Sequence, residues 1–135
     1  MYSALIRLVG WSGIVVIGVL SLLPGDMRPH RGPEIPGQLA HFLAYFMTAG
    51  VLALGYRARA HAVKITLWLT LYAALLEIAQ LWIPGRISRL IDFGASALGV
   101  LAGIGVVLLT GIRRPTDEQS SGGAWRSRPT KGPPR

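Results

Sequence analysis

Four apolar segments, each close to 20 residues long, limit what this chain can fold into. They run over residues 5–23, 37–56, 63–83 and 90–112. A helix needs about 20 residues to cross a hydrocarbon layer that is ~30 Å thick. Because lipid tails offer no hydrogen bonds to the backbone, segments of this length and character are expected to be helical. The sequence therefore predicts an all-α membrane bundle of four transmembrane helices.

The composition agrees with a membrane location. Hydrophobic residues make up 51% of the chain, and Asp, Glu, Lys and Arg only 15%, whereas soluble domains average about 25% charged residues. The chain has no cysteine, which excludes disulfides, thiol catalysis and cysteine metal sites. We expect one membrane domain over residues 1–112, with no resident metal or cofactor.

The basic residues indicate the orientation. Residues 113–135 are rich in Pro, Gly, Ser and Arg, which predicts a disordered basic tail. With four spans, ten of the fourteen Lys and Arg fall on the side that carries both termini. The positive-inside rule then predicts both termini in the cytoplasm of a multi-pass protein of the bacterial inner (cytoplasmic) membrane. The net charge of +8 thus reflects topology, and we expect no nucleic-acid partner. No small-x-small site follows the first segment, which favours a retained anchor over a cleaved signal peptide.

Polar side chains recur on one face of the later segments. His41 and Tyr45 are four residues apart in the second segment. Glu77 and Gln80 are three residues apart in the third, and Asp92 lies near the start of the fourth. Residues at these spacings share a helix face, and ionisable groups at membrane depth are rare and costly. The connectivity brings these ends to one side of the membrane, which predicts an outward-facing polar pocket. Its members would be His41, Tyr45, Glu77, Gln80, Arg86 and Asp92.

Each member also has a structural interpretation. Glu77 can pair with Arg86 or His41 and hold the helices together. Asp92 in the first turn of a helix is favoured by the helix dipole. Tyr45 fits an ordinary interfacial aromatic residue. The sequence leaves these alternatives open.

Two further patterns bear on packing and chemistry. Gly99-x-x-x-Gly103 is typical of helices that approach closely, and Ser88 is a candidate N-cap for the fourth helix. Established catalytic signatures such as Gly-x-Ser-x-Gly or His-Glu-x-x-His do not occur. One histidine and two carboxylates can perform acid–base chemistry or bind a divalent cation, but these spacings do not by themselves predict a metal site. Whether the protein is an enzyme stays open, and the missing signatures favour a non-enzyme.

The ordered set of motifs resembles the VanZ-like membrane proteins. It consists of Ser-Leu-Leu-Pro at 21–24, His-Phe-Leu-Ala-Tyr at 41–45, Glu77-x-x-Gln80, Pro-Gly-Arg at 84–86, and Asp92 followed by Gly99. The resemblance covers about residues 21–103. It departs from the family at Gly37 and Gln38, where members commonly have Asp-Lys, and at Ser96, where they often have Asn.

The resemblance implies a small membrane protein of four or five helices. The family takes its name from a protein associated with low-level resistance to the glycopeptide teicoplanin. Together with the converging polar residues, this leads us to expect a protein that binds or positions a cell-envelope component, either a lipid headgroup or a lipid-linked wall precursor, with an effect on glycopeptide sensitivity. The expected partners are the lipid bilayer and an envelope lipid or a glycopeptide-related ligand. The alternatives are a membrane-embedded enzyme acting on lipid-linked substrates, or a small transporter subunit that forms homo-oligomers through Gly99 and Gly103.

Overall fold

The computed structural model describes residues 2–24, 36–56, 58–84 and 89–111. Each described segment is dominated by one helix, and all four helices are long and apolar enough to span a membrane. The predicted all-α bundle of four transmembrane helices is therefore confirmed. The tail predicted over residues 113–135 lies outside the described residues. The helices are α1 (Tyr2–Leu22), α2 (Gly37–Gly55), α3 (Ala58–Gln80) and α4 (Leu90–Thr110).

The ends of the helices differ in part from the predicted ends. Helices α2 and α4 begin at the predicted residues, whereas α3 begins at Ala58, five residues before the expected start. The added residues 58–62 alternate alanine with Arg and His, and alanine is the strongest helix former. A search for apolar residues misses such a helical turn because it is too polar to count as membrane-embedded. At the other end α3 stops at Gln80 and continues as turns with hydrogen bonds to the third preceding residue.

The most extensive contact between helices is that of α2 with α4. Glycines on α4 face the backbone of α2 there. A Cβ at Gly99 would overlap the Phe42 carbonyl oxygen and lie 3.1 Å from the Phe46 nitrogen. A Cβ at Gly103 would overlap the Phe46 carbonyl oxygen and lie 3.0 Å from the Gly50 nitrogen. The two backbones approach this closely because neither glycine has a side chain.

Apart from Tyr45, the core is built from small and medium-sized side chains of all four helices, while many large apolar residues lie on the outside. Trp68 is 72% exposed and Leu109 is 88% exposed. In a soluble protein such a surface would be costly, but in a bilayer it faces lipid tails. The interior thus depends on close packing of residues that include Ala49, Leu52, Leu69, Ala73, Val100 and Ile104.

Candidate functional site

Three of the predicted pocket residues lie together at one end of the bundle. His41 is in the second turn of α2, Glu77 in the last turn of α3 and Asp92 in the first turn of α4. One nitrogen or oxygen atom from each side chain lies within 4.8 Å of the atoms offered by the other two. All three residues are partly buried. We call this group the carboxylate–histidine cluster.

Two more of the predicted residues are buried near this cluster. Gln80 is 3% exposed and follows Glu77 by three residues, on the same face of α3. Its Nε2 makes no hydrogen bond to any described residue. Tyr45 is 2% exposed and lies one turn after His41, on the same face of α2. Gln80 and Tyr45 thus add polar groups to a mostly apolar interior.

The last predicted pocket residue, Arg86, lies outside the described residues, and its place between the two carboxylates stays a prediction. Ser88, the expected N-cap, lies outside them too. The structure instead has Arg89 at the N-cap of α4, without a capping side-chain hydrogen bond of its own. The Arg89 backbone nitrogen donates a hydrogen bond to Glu77 Oε2, at 3.3 Å. The α3 carboxylate therefore accepts from a backbone donor at the positive end of α4, an arrangement that the helix dipole favours.

Ser96 connects two members of the cluster. It is 1% exposed, its hydroxyl donates to the Asp92 carbonyl oxygen at 2.9 Å, and the same oxygen lies 3.5 Å from His41 Nδ1. The Ser96 hydroxyl therefore lies between the backbone of α4 and the imidazole of α2. In the sequence, Ser96 stands out only as a departure from the family's asparagine, although its position four residues after Asp92 puts it on the same face of α4.

Charge is concentrated in the cluster. When both are ionised, the Glu77 and Asp92 carboxylates repel each other by on the order of 3 kcal/mol at this separation and an effective dielectric constant of ~20. Asp92 Oδ1 is also buried and accepts no hydrogen bond from any described residue. Burying a carboxylate oxygen without a donor or a cation is costly. The cluster is therefore a place where a proton, a cation or a further donor stabilises the fold.

A groove of about 360 Å³ runs along the outside of α3 and α4, beside the cluster. Its walls are mostly apolar, and its charged residues are Glu77 and Arg89. Glu77 thus belongs to both the cluster and the groove. The lining consists of Ala74, Glu77, Ile78, Leu81, Arg89, Leu90 and Phe93.

Aromatic and basic residues meet at the opposite end of the bundle. Trp11 Nε1 donates to the Tyr56 hydroxyl at 3.1 Å, and the Arg7 guanidinium carbon lies 5.5 Å from the centre of the Tyr56 ring. The His61 ring centre is 5.9 Å from that of Tyr56. Amphipathic rings and cations of this kind favour the headgroup level of a bilayer. This contact group thus marks a second membrane interface, opposite to that of the carboxylate–histidine cluster.

Comparison with known proteins agrees with this architecture. The sequence model of the family described as VanZ/LLP1 matches residues 9–111. The match includes most of α1, all of α2, α3 and α4, and every residue of the cluster. No curated protein and no solved structure matches the chain.

Proposed function

Because the chain belongs to the VanZ/LLP1 family and is a multi-pass membrane protein, we propose that it binds a phosphate-bearing envelope lipid, such as a lipid-linked cell-wall precursor. The observation that carries the proposal is the groove between α3 and α4. It is apolar along its length and has Glu77 and Arg89 in its lining, beside the carboxylate–histidine cluster. A phosphate-bearing lipid has an apolar chain and a charged headgroup, so its binding site needs both an apolar and a charged surface.

The groove suits the chain of a lipid. Its volume falls in the range of about 300–1,000 Å³ that is typical of small-molecule sites. Ile78, Leu81 and Phe93 supply apolar walls. The groove is open on the outer surface of the bundle, so a lipid chain enters it sideways from the bilayer without crossing an aqueous phase.

The charged part of the groove suits a phosphate. Arg89 is exposed, and a guanidinium group matches phosphate oxygens in shape and charge. The N-terminus of α4 adds its positive dipole at the same place. Glu77 positions this segment by accepting the hydrogen bond of the Arg89 backbone, and Arg86 is proposed to supply a second cation.

The charge distribution supports an orientation for this site. With both termini in the cytoplasm, the groove and the cluster face the outside of a bacterial inner membrane. Lipid-linked wall precursors are used on that side. A protein that covers or presents such a precursor would change its access to glycopeptide antibiotics, so the proposal predicts an effect on glycopeptide sensitivity without direct contact with the drug.

The test is binding of undecaprenyl pyrophosphate to purified protein in nanodiscs. We expect saturable binding that Arg89→Gln weakens about tenfold, equivalent to ~1.4 kcal/mol. Arg59→Gln is the matched control, because Arg59 is an exposed arginine near the other end of α3. Ala74→Trp should block the groove, whereas Leu75→Trp, on an adjacent residue that does not line it, should not.

Two results would count against the proposal. Binding that is equally strong in the Ala74→Trp and Arg89→Gln variants would place the lipid elsewhere. Absence of saturable binding would remove the proposal altogether. Turnover of the probe by wild-type protein, lost in Glu77→Gln, would instead support the enzyme alternative, and flux into sealed vesicles would support the transporter alternative.

A further inference from the structure

The carboxylate–histidine cluster comes close to the spacing of a metal site. Ligand atoms bound to Zn²⁺ lie about 2.0–2.2 Å from the ion in a tetrahedron, so two of them are about 3.3–3.6 Å apart. The three ligand atoms of His41, Glu77 and Asp92 are all within 4.8 Å of one another. Side-chain movements of at most about 1.5 Å would bring them around one ion.

A hydroxyl group lies beside the His41 ring. Ser96 Oγ is 3.5 Å from His41 Nδ1 and donates to the Asp92 carbonyl oxygen at 2.9 Å. Metal-binding histidines are commonly oriented by a contact between one ring nitrogen and an oxygen of the protein, while the other nitrogen binds the metal. Ser96 is placed to orient the imidazole of His41 in this way.

Two buried polar atoms near the cluster still lack partners among the described residues. Asp92 Oδ1 is a buried acceptor, and Gln80 Nε2 is a donor on a side chain that is only 3% exposed. A cation would satisfy the Asp92 oxygen. An oxygen atom bound to that cation, from water or phosphate, would satisfy the Gln80 amide on the same face of α3 as Glu77. A metal thus accounts for both atoms together.

We propose that His41, Glu77 and Asp92 bind one divalent transition-metal ion, for which Zn²⁺ is the reference. The imidazole favours Zn²⁺ over Mg²⁺ or Ca²⁺, which prefer oxygen ligands alone. Three protein ligands leave an open coordination position, as in zinc sites that bind a further molecule. The sequence alone led us to expect no metal, and the proximity of the three groups in the structure is the reason for the different inference. The site goes beyond the proposed lipid function and does not depend on it.

The test uses the full chain with an affinity tag that contains no histidine, purified in detergent and stripped with EDTA. Titration calorimetry with ZnCl₂ should give one ion per chain, and MgCl₂ should bind at least tenfold more weakly. His41→Gln and Asp92→Asn should each weaken Zn²⁺ binding at least tenfold. His61→Gln is the matched control, because His61 lies in the first turn of α3 at the opposite end of the bundle, and it should bind as wild type does.

Thermal unfolding separates loss of the site from loss of the fold. Zn²⁺ should raise the Tm of the wild-type protein, since a ligand that binds only the folded state stabilises it by mass action. In EDTA, Asp92→Asn should unfold close to the wild-type Tm, because it removes both the repulsion with Glu77 and a charge that the helix dipole favours, and Zn²⁺ should not raise its Tm. Ser96→Ala keeps all three ligands and should weaken Zn²⁺ binding about 10- to 100-fold.

Three results would overturn the inference. The first is no saturable Zn²⁺ binding by the wild-type protein. The second is unchanged binding in His41→Gln, which would make the ion adventitious. The third is a wild-type Tm that Zn²⁺ leaves unchanged, combined with a lower Tm of the Arg86→Gln variant in EDTA. That combination would make Arg86 the counter-charge of the cluster. Under the proposal Arg86→Gln keeps its Zn²⁺ binding. Because the probe is the metal alone, failure of lipid binding would leave the metal result unaffected.

Discussion

The Phe46 carbonyl oxygen on α2 occupies the space that a side-chain carbon at Gly103 on α4 would need. The obstacle is backbone, which cannot rotate away as a flexible side chain can. Gly103→Ala should therefore push α2 and α4 apart. We expect a loss of about 1–3 kcal/mol, the usual cost of overpacking a close contact. Thermal unfolding in detergent would measure it as a lower Tm.

Gly105 offers a matched control on the same helix. A Cβ at Gly105 meets no atom within 4 Å. Gly105→Ala should leave stability unchanged or raise it by up to ~1 kcal/mol, because alanine is the better helix former. Equal Tm values for Gly103→Ala and Gly105→Ala would show that the backbones of α2 and α4 leave room for a side chain at Gly103.

A second prediction concerns the link between α3 and α1. The Tyr72 hydroxyl donates to the Ile14 carbonyl oxygen at 3.0 Å and fills the space beside Gly18. Tyr72→Phe removes the hydrogen bond but keeps the ring, so we expect a loss of about 1 kcal/mol. Tyr2→Phe is the control, because Tyr2 is 79% exposed. If the two variants unfold alike in a denaturant titration, the Tyr72 hydrogen bond contributes nothing.

The fold was accessible from the sequence because lipid permits so few structures. Apolar segments of this length form helices in a bilayer, because a helix satisfies its backbone hydrogen bonds within the segment. The early start of α3 was missed because the turn at Ala58 contains the polar residues Arg59 and His61. This turn is helical because alanine has a high helix propensity and not because it is apolar. Hydropathy therefore does not detect it.

The site was accessible only in part. Helical spacing and connectivity anticipate that His41, Glu77 and Asp92 meet at one end of the bundle, because both depend on the backbone alone. The contact of Ser96 with His41 depends on the side-chain torsion angles of both residues. The groove depends on how α3 and α4 pack beside each other. Neither is encoded in residue spacing.

A third prediction follows from the contact between Ser96 and His41. Ser96→Ala removes the hydroxyl beside Nδ1, so the environment of that ring nitrogen should change. Nitrogen-15 NMR of labelled imidazole rings would report this as a shift of the His41 signals, in EDTA and without any ligand. Ser12→Ala is the control, since that hydroxyl bonds to the Leu8 carbonyl oxygen within α1. An unchanged His41 spectrum in Ser96→Ala would show that Ser96 does not contact the ring.

A fourth prediction concerns orientation. The chain has no cysteine, so a single cysteine introduced at an exposed position is the only residue of the protein that a thiol reagent can label. Pro84→Cys should react with a membrane-impermeant thiol reagent added to intact cells. Arg59→Cys and Gly111→Cys should react only after the cells are opened. The reverse pattern would put the carboxylate–histidine cluster on the cytoplasmic side and would contradict a role with exported wall precursors.

The last prediction concerns Gly37, where members of the family commonly have aspartate. Gly37 is the first residue of α2, is exposed, and has no atom within 4 Å of an added Cβ. The first turn of α2 contains no acidic residue. An aspartate would place its charge beside the unpaired backbone N–H groups and the positive end of the helix dipole, a gain of about 0.3–1 kcal/mol at low salt.

Gly37→Asp should accordingly raise the Tm at low ionic strength, and the increase should shrink as salt screens the charge. Gly37→Asn has nearly the same shape without the charge, so it separates electrostatics from the loss of glycine flexibility. Equal, salt-independent stabilisation by both variants would assign the gain to backbone entropy, since replacing a glycine restricts the unfolded chain by about the same free energy. A salt-sensitive increase in Tm that occurs only in Gly37→Asp would show that the aspartate charge stabilises the start of α2. It would also show that the surrounding structure accommodates the aspartate that is common in the family.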